Sequence, residues 1–216
     1  MSLESVRERM SAAAARSGRA PDSVVLVIVT KGQSVETISK LYDRGERDFG
    51  ENRAQELTGK VDQLPTDIRW HFVGPLQSNK VRSVRPNVNL LHSLDRPELG
   101  PAWIKGPGLA PPALLQVNVG LEPQKHGLVP DDILGTFGDL VSLGVDLVGL
   151  MAIPPLTGDA AATRRYFEEM RRLAGLVAGE RGGDVALSMG MSDDFEMAIE
   201  EGATFVRVGR AIFSDN

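Results

Sequence analysis

Cysteine is absent from all 216 residues, which excludes disulfides, thiolate metal sites and cysteine nucleophiles together. Histidine is scarce as well: His71, His92 and His126 are scattered along the chain and form no metal-ligand spacing. Long apolar runs are missing. No stretch is long enough to span a bilayer, and residues 1–9 mix charges where a signal peptide needs an apolar core, so the expectation is a cytoplasmic protein with no membrane partner. Charge of one sign is gathered nowhere. The formal net charge of -5 is spread through mixed segments such as Arg44-Gly45-Glu46-Arg47-Asp48, which argues against a nucleic-acid footprint. The pairs Arg164-Arg165 and Arg171-Arg172 stand among glutamates and read as a solvated helix face.

What the chain does have is apolar patterning in short runs. Its 42% hydrophobic content suffices for a substantial core, and no sharp change of composition divides it, so residues 1–216 read as one domain. An amphipathic stretch over residues 3–17 predicts an opening helix stopped by Gly18. Apolar, β-branched runs then predict strands at 24–30, 47–49, 68–73, 89–92, 113–119, 145–150, 184–188 and 204–208. Helical patterns separate most of them, including 34–45 with Ser34 as its cap, 52–61, 130–143, 160–178 and 193–201. Such repeated units build a parallel sheet, and eight strands imply a closed (β/α)8 TIM barrel with an extra N-terminal helix. The alternative is a doubly wound open sheet, but Lys31-Gly32-Gln33-Ser34 stands where its Gly-rich dinucleotide fingerprint belongs. Residues 94–112, rich in Pro and Gly, read as a loop.

A barrel gathers its chemistry at the C-terminal ends of its strands, and a phosphate site commonly forms after strands seven and eight. Lys31 follows the first apolar run at once. Desolvation there favours a free amine able to form a Schiff base with an aldehyde, although from this segment alone an ordinary strand-end lysine with its head in solvent is the stronger reading. After the seventh strand, Ser188-Met189-Gly190-Met191-Ser192-Asp193-Asp194 offers hydroxyls, a close-approach glycine and an expected helix start at Ser192. Asp193 and Asp194 repel an anion unless they face solvent or a basic partner. After the eighth come Gly209 and Arg210, while Arg207 sits inside an apolar strand and needs acceptors, either in a structural ion pair or in the site. Glu51, Asn52, His71, Asn118 and Met151 are further strand-end positions, and His71 also reads as a hydrogen-bonded core histidine.

The ordered set Val29-Thr30-Lys31, Phe49-Gly50-Glu51-Asn52, the run from His71 to Lys80 (HFVGPLQSNK), Gly149-Leu150-Met151-Ala152-Ile153-Pro154, Ser188 to Asp194 and Val206 to Phe213 resembles the pyridoxal-phosphate homeostasis protein family across nearly the whole chain. That family in turn resembles the barrel domain of alanine racemase, which implies a fold-type III barrel. The resemblance implies pyridoxal 5'-phosphate as cofactor, bound as a covalent aldimine to Lys31. It further implies that Ser188, Met191, Ser192, Gly209 and Arg210 surround the phosphate, that Arg207 faces the pyridine nitrogen, and that Asn52, His71 and Met151 line the pocket. Two departures stand out: Gly32-Gln33-Ser34 replaces a common Thr-Lys-Pro, and Arg210 and Ser214 replace a common Thr and Gly.

An arginine does not readily protonate a ring nitrogen, so Arg207 leaves the ring a weak electron sink. The only tyrosines, Tyr42 and Tyr166, fall in expected helices, and no second base is evident. The leading expectation is therefore a protein that stores, buffers and delivers the cofactor, with apo forms of pyridoxal-phosphate enzymes as partners and no catalytic residues assigned; the family resemblance and the lack of a second domain imply a monomer. The competing readings are a small amino-acid racemase and a Schiff-base aldolase acting on a sugar phosphate.

Overall fold

Strands buried on both faces need continuous apolar runs, and the chain supplies one at each predicted place. In the computed structural model, which describes residues 1–213, these become β1 Val25–Val29, β2 Asp48–Glu51, β3 Arg69–Phe72, β4 Leu90–Leu94, β5 Ala113–Val117, β6 Leu147–Ala152, β7 Ala186–Ser188 and β8 Phe205–Val208. They pair in parallel and in chain order, and β8 returns to β1 with Arg207 opposite Val27, closing the expected barrel. A register irregularity between β5 and β6 accompanies the later start of β6, two residues beyond the expected one.

The surrounding helices are α1 Leu3–Arg16, α2 Val35–Asp43, α3 Ala54–Val61, α4 Val81–Val84, α5 Leu99–Ile104, α6 Ile133–Ser142, α7 Ala160–Arg181, α8 Phe195–Glu200 and α9 Arg210–Phe213. The extra helix α1 is capped by Ser2, whose hydroxyl accepts from the Ser5 amide, and it buries Leu3, Val6, Met10, Ala13 and Ala14. Arg16 pairs with Glu200 of α8 at 2.8 Å, and Arg164 of α7 reaches Glu200 and Glu201, so part of the expected solvated face ties helices together.

Two layers of core follow from the alternation of side chains across each strand. Outward residues such as Ile28, Phe49, Trp70, Leu91 and Val206 pack against the helices. Inward, Leu90, Leu114 and Met151 form a small apolar cluster. His92 of β4 reaches Ser188 of β7 at 2.7 Å, a contact between strands that are not neighbours, so both point into the barrel.

Two expectations are corrected. Residues 94–112 contain α5, because its Pro101 lies in the first turn, where a missing amide costs little, and Trp103 gains full burial with its indole N–H donating to Pro111 O at 2.8 Å. The helix after β7 starts at Phe195 rather than Ser192, because Asp194 takes the cap position and turns its carboxylate back onto the Met191 amide at 2.6 Å.

Trp103→Ala should therefore cost about 3–5 kcal/mol of stability. Leu109→Ala, at a side chain 98% exposed in the same segment, should stay within about 0.5 kcal/mol in a parallel urea titration.

Candidate functional site

The amine end of the site is built by a clamp on the backbone around Lys31. Thr30 leaves β1 buried, and its hydroxyl donates to Glu51 Oε1 at 2.6 Å. Lys60 of α3 donates to the same oxygen at 2.6 Å and to the Thr30 carbonyl at 2.9 Å. On the other side, the Gly32 amide donates to Glu56 Oε2 at 2.7 Å, and Gly32 takes the left-handed φ of +71° that the turn requires. The Gly32 amide is the main reason the Glu56 carboxyl lies below its ordinary range. Lys31 itself is exposed, so burial by its strand is not what distinguishes this amine.

The expected anion end lies on the loops after β7 and β8. Gly190, at φ +91°, lets its loop pass close to α8: a Cβ there would lie 2.6 Å from that of Ala198. The Met191 amide is taken by Asp194, whose carboxyl is pushed up mainly by burial. Ser192 Oγ accepts from the Ala211 amide at 3.3 Å, joining the two loops. Arg210 projects outward and pairs with Asp193 at 2.7 Å, both side chains more than 70% exposed, so Asp193 has the basic partner that an anion nearby demands. Gly209 approaches β1 so closely that a Cβ would lie 2.8 Å from Val29 O. Lys31, Gln33, Val29, Gly209, Arg210 and Phe213 line one cleft of about 300 Å³.

Inside the barrel the polar residues are joined to one another. Buried Arg207 donates to Ser188 Oγ and to the Ala152 carbonyl, the latter at 2.9 Å, and has no carboxylate partner within 4.0 Å among the described residues. Burial pulls its guanidinium down to about 10, with Asp194 opposing. His71 bonds His92 at 2.9 Å and Asp48 at 3.0 Å, the arrangement of a hydrogen-bonded core histidine. Met151 is fully buried in the inner apolar cluster. Asn52 faces a neighbouring cleft of about 560 Å³ with Phe72, Gln77, Lys80 and His126, and its Oδ1 is buried without a hydrogen-bond partner.

The predicted residues thus fall into three groups: Lys31, Gly209 and Arg210 in one cleft with Met191 and Ser192 beside it; Ser188, Arg207, His71 and Met151 within the barrel; and Asn52 at an adjoining opening. Asn118, placed inside a strand by its pattern, lies just past β5 and braces a turn through its bonds with Glu122. Sequence reading missed His92, Asp48 and Lys60. For Lys60 a signal existed, since Glu56 and Lys60 are four apart on one helix face and the pair lies 3.6 Å apart.

Fold and site together define a class: a (β/α)8 protein whose C-terminal face sets one strand-end amine beside a glycine-lined loop. No protein-family model matches the chain. It is 40% identical over 222 residues to the "Pyridoxal phosphate homeostasis protein" of Deinococcus radiodurans, spanning 99% of this chain and 100% of that protein. The structure of PipY from Synechococcus elongatus PCC7942 with PLP bound is 35% identical, with a TM-score of 0.77 over 96% of this chain and 99% of that one. Alanine racemase from Corynebacterium glutamicum shares the fold alone, at 15% identity and a TM-score of 0.69 over 98% of this chain and 61% of that one. The chain belongs to the pyridoxal phosphate homeostasis protein family.

Lys60→Met strands the Glu51 carboxylate, which is 0% exposed, and should cost about 3–5 kcal/mol; adding Glu51→Leu should recover much of that in urea titrations. Asp48 generates a second expectation. Burial alone would raise its carboxyl, but His71 and Arg69 outweigh it and hold the group at about 2 against an ordinary 3.8. A depressed folded-state value stabilises above the unfolded value and loses that contribution as pH falls from about 3.8 through 2. The loss amounts to roughly 2 kcal/mol, and Asp48→Asn should flatten the stability curve across that window.

Proposed function

We propose that this chain binds pyridoxal 5'-phosphate at the C-terminal face of its barrel, with Lys31 holding the aldehyde carbon through a Schiff base. It then serves to store, buffer and deliver the cofactor, with apo forms of pyridoxal-phosphate enzymes as recipients. The observation that carries this reading is the single cleft shared by Lys31, Gly209 and Arg210. Two features fit the ligand: Lys31 and Gly209 line the same cleft, and Asn52, at the adjoining opening, has a buried Oδ1 without a hydrogen-bond partner. Bound there, the cofactor supplies an electrophilic aldehyde.

Gly209, Ser192 and Arg210 are assigned to the phosphate, with Met191 beside them and its amide held by Asp194. Ser188, given to the phosphate by family resemblance, is already bonded to Arg207 and His92, so its role here is to hold Arg207. Arg207, at about 10, stays charged at neutral pH and donates to the ring nitrogen without surrendering a proton. Asn52 borders the pocket, and Met151 and His71 support it from inside the barrel. Tyr42 spends its hydroxyl on Asp67 at 2.7 Å, and Tyr166 lies in α7, so neither phenol stands at a strand end.

Adding the cofactor to the purified chain should produce an imine absorption band, and borohydride should fix the added mass on the peptide bearing Lys31. Lys31→Ala should lose both. A label on another peptide overturns the assignment of the amine. Sustained exchange of amino-acid α-protons in deuterated water, abolished by Lys31→Ala, would favour the racemase reading instead.

A further inference from the structure

A row of polar side chains crosses the barrel from its N-terminal mouth to Arg207. At the mouth, Asp48 begins β2 and is held by Arg69, which begins β3, with Nε–Oδ1 at 2.8 Å. Asp48 Oδ1 also meets His71 Nε2 at 3.0 Å. His71 Nδ1 meets His92 Nε2 at 2.9 Å, His92 Nδ1 meets Ser188 Oγ at 2.7 Å, and Ser188 Oγ accepts from Arg207. Phe205 covers both imidazoles, with ring centroids 5.9 Å from His71 and 5.5 Å from His92. His71, His92, Ser188 and Arg207 are each at most 4% exposed, so these groups must satisfy one another.

The two ends fix the direction of every bond between them. An ionised carboxylate only accepts, so His71 Nε2 carries a proton and donates to Asp48. Burial, with His71 and Arg207 nearby, pushes His92 well below its ordinary range and keeps it neutral. In a row that runs one way from this end, the bare Nδ1 of His71 accepts from His92 Nε2–H, and the bare Nδ1 of His92 accepts from the Ser188 hydroxyl. The serine oxygen then presents lone pairs to Arg207. Reversing the row requires a proton on His71 Nδ1 and brings a second donor onto Ser188 Oγ, whose own hydrogen loses its acceptor. Arg207, whose charge lowers His92, opposes the added proton that the reversed row needs.

We infer that His92 and His71 are positioning residues for Arg207: anchored on Asp48, they form a one-way hydrogen-bonded row that fixes the Ser188 hydroxyl as the acceptor orienting the guanidinium. The consequence at the cofactor rests on the proposal that Arg207 faces the ring nitrogen. The row itself does not depend on that proposal. It links the solvent-facing mouth of the barrel to the site at the opposite end.

The first measurement needs no cofactor. Long-range ¹H–¹⁵N correlation spectra of the labelled chain at neutral pH should show His71 and His92 both protonated on Nε2 and bare on Nδ1. A proton on Nδ1 of either ring overturns the row. The second uses pyridoxal 5'-phosphate labelled with ¹⁵N in its ring. His92→Leu should shift the ring-nitrogen resonance and weaken binding about tenfold. His92→Gln, which keeps one donor and one acceptor, should restore part of both. A ring resonance unchanged in His92→Leu and His92→Gln, whatever happens to their melting temperatures, reduces the histidines to core packing and overturns the inference. If the unsubstituted chain shows no bound-cofactor resonance, the proposed function fails and takes the ring end of the inference with it; the tautomer spectra still judge the row.

Discussion

A guanidinium cannot shed its charge at any ordinary pH, so a barrel that buries Arg207 must find it acceptors among strands that otherwise offer only apolar side chains. Much of the interior follows from that demand. The Ala152 carbonyl at the end of β6 and the Ser188 hydroxyl at the end of β7 are turned towards it. The serine in turn needs His92, and His92 needs His71. A charge left unpaired at this depth would destabilise the fold by several kcal/mol. The polar file displaces apolar filling from the barrel's centre. The larger share of the hydrophobic core accordingly lies in the outer layer, between the sheet and its helices.

The two lysines near the mouth of β1 show how one residue type serves opposite ends. Lys60, only 7% exposed, is spent on Glu51 and the Thr30 carbonyl, a fixed strut beneath the turn. Lys31, on that turn, keeps its side chain exposed. The backbone is thus held on both sides while the amine remains available. Such division suits a group that must meet its partner in one place without itself being locked beforehand.

Most of the fold was legible because a parallel barrel writes its strands as unbroken apolar runs, and all eight lie within two residues of the expected starts. The short helix α5 was not, because Pro97, Gly100, Pro101, Gly106 and Pro107 punctuate its segment, and only the docking of Trp103 reveals a helix there. Ser192 misled for a local reason: three successive capping residues compete, and a side-chain bond from Asp194 decides between them. The motif residues Lys31, Gly209 and Arg210 converge as their strand ends require. His92 and Asp48 were illegible, since their meaning lies in partners across the barrel. Ser188 stands 96 positions from His92 in the chain.

The contact between Gly209 and Val29 has a consequence for how the molecule comes into being. Lys31 follows the first strand to be synthesised and Gly209 the last, and the two meet only where β8 joins β1. Their loop spans almost the entire chain, so its closure is among the entropically costliest and latest pairings available to this topology. A nascent or partly unravelled chain therefore carries the amine without its companion loop. Competence for the ligand is in this sense a checkpoint on completion of the ring: a chain that has not closed its seam has no pocket to offer.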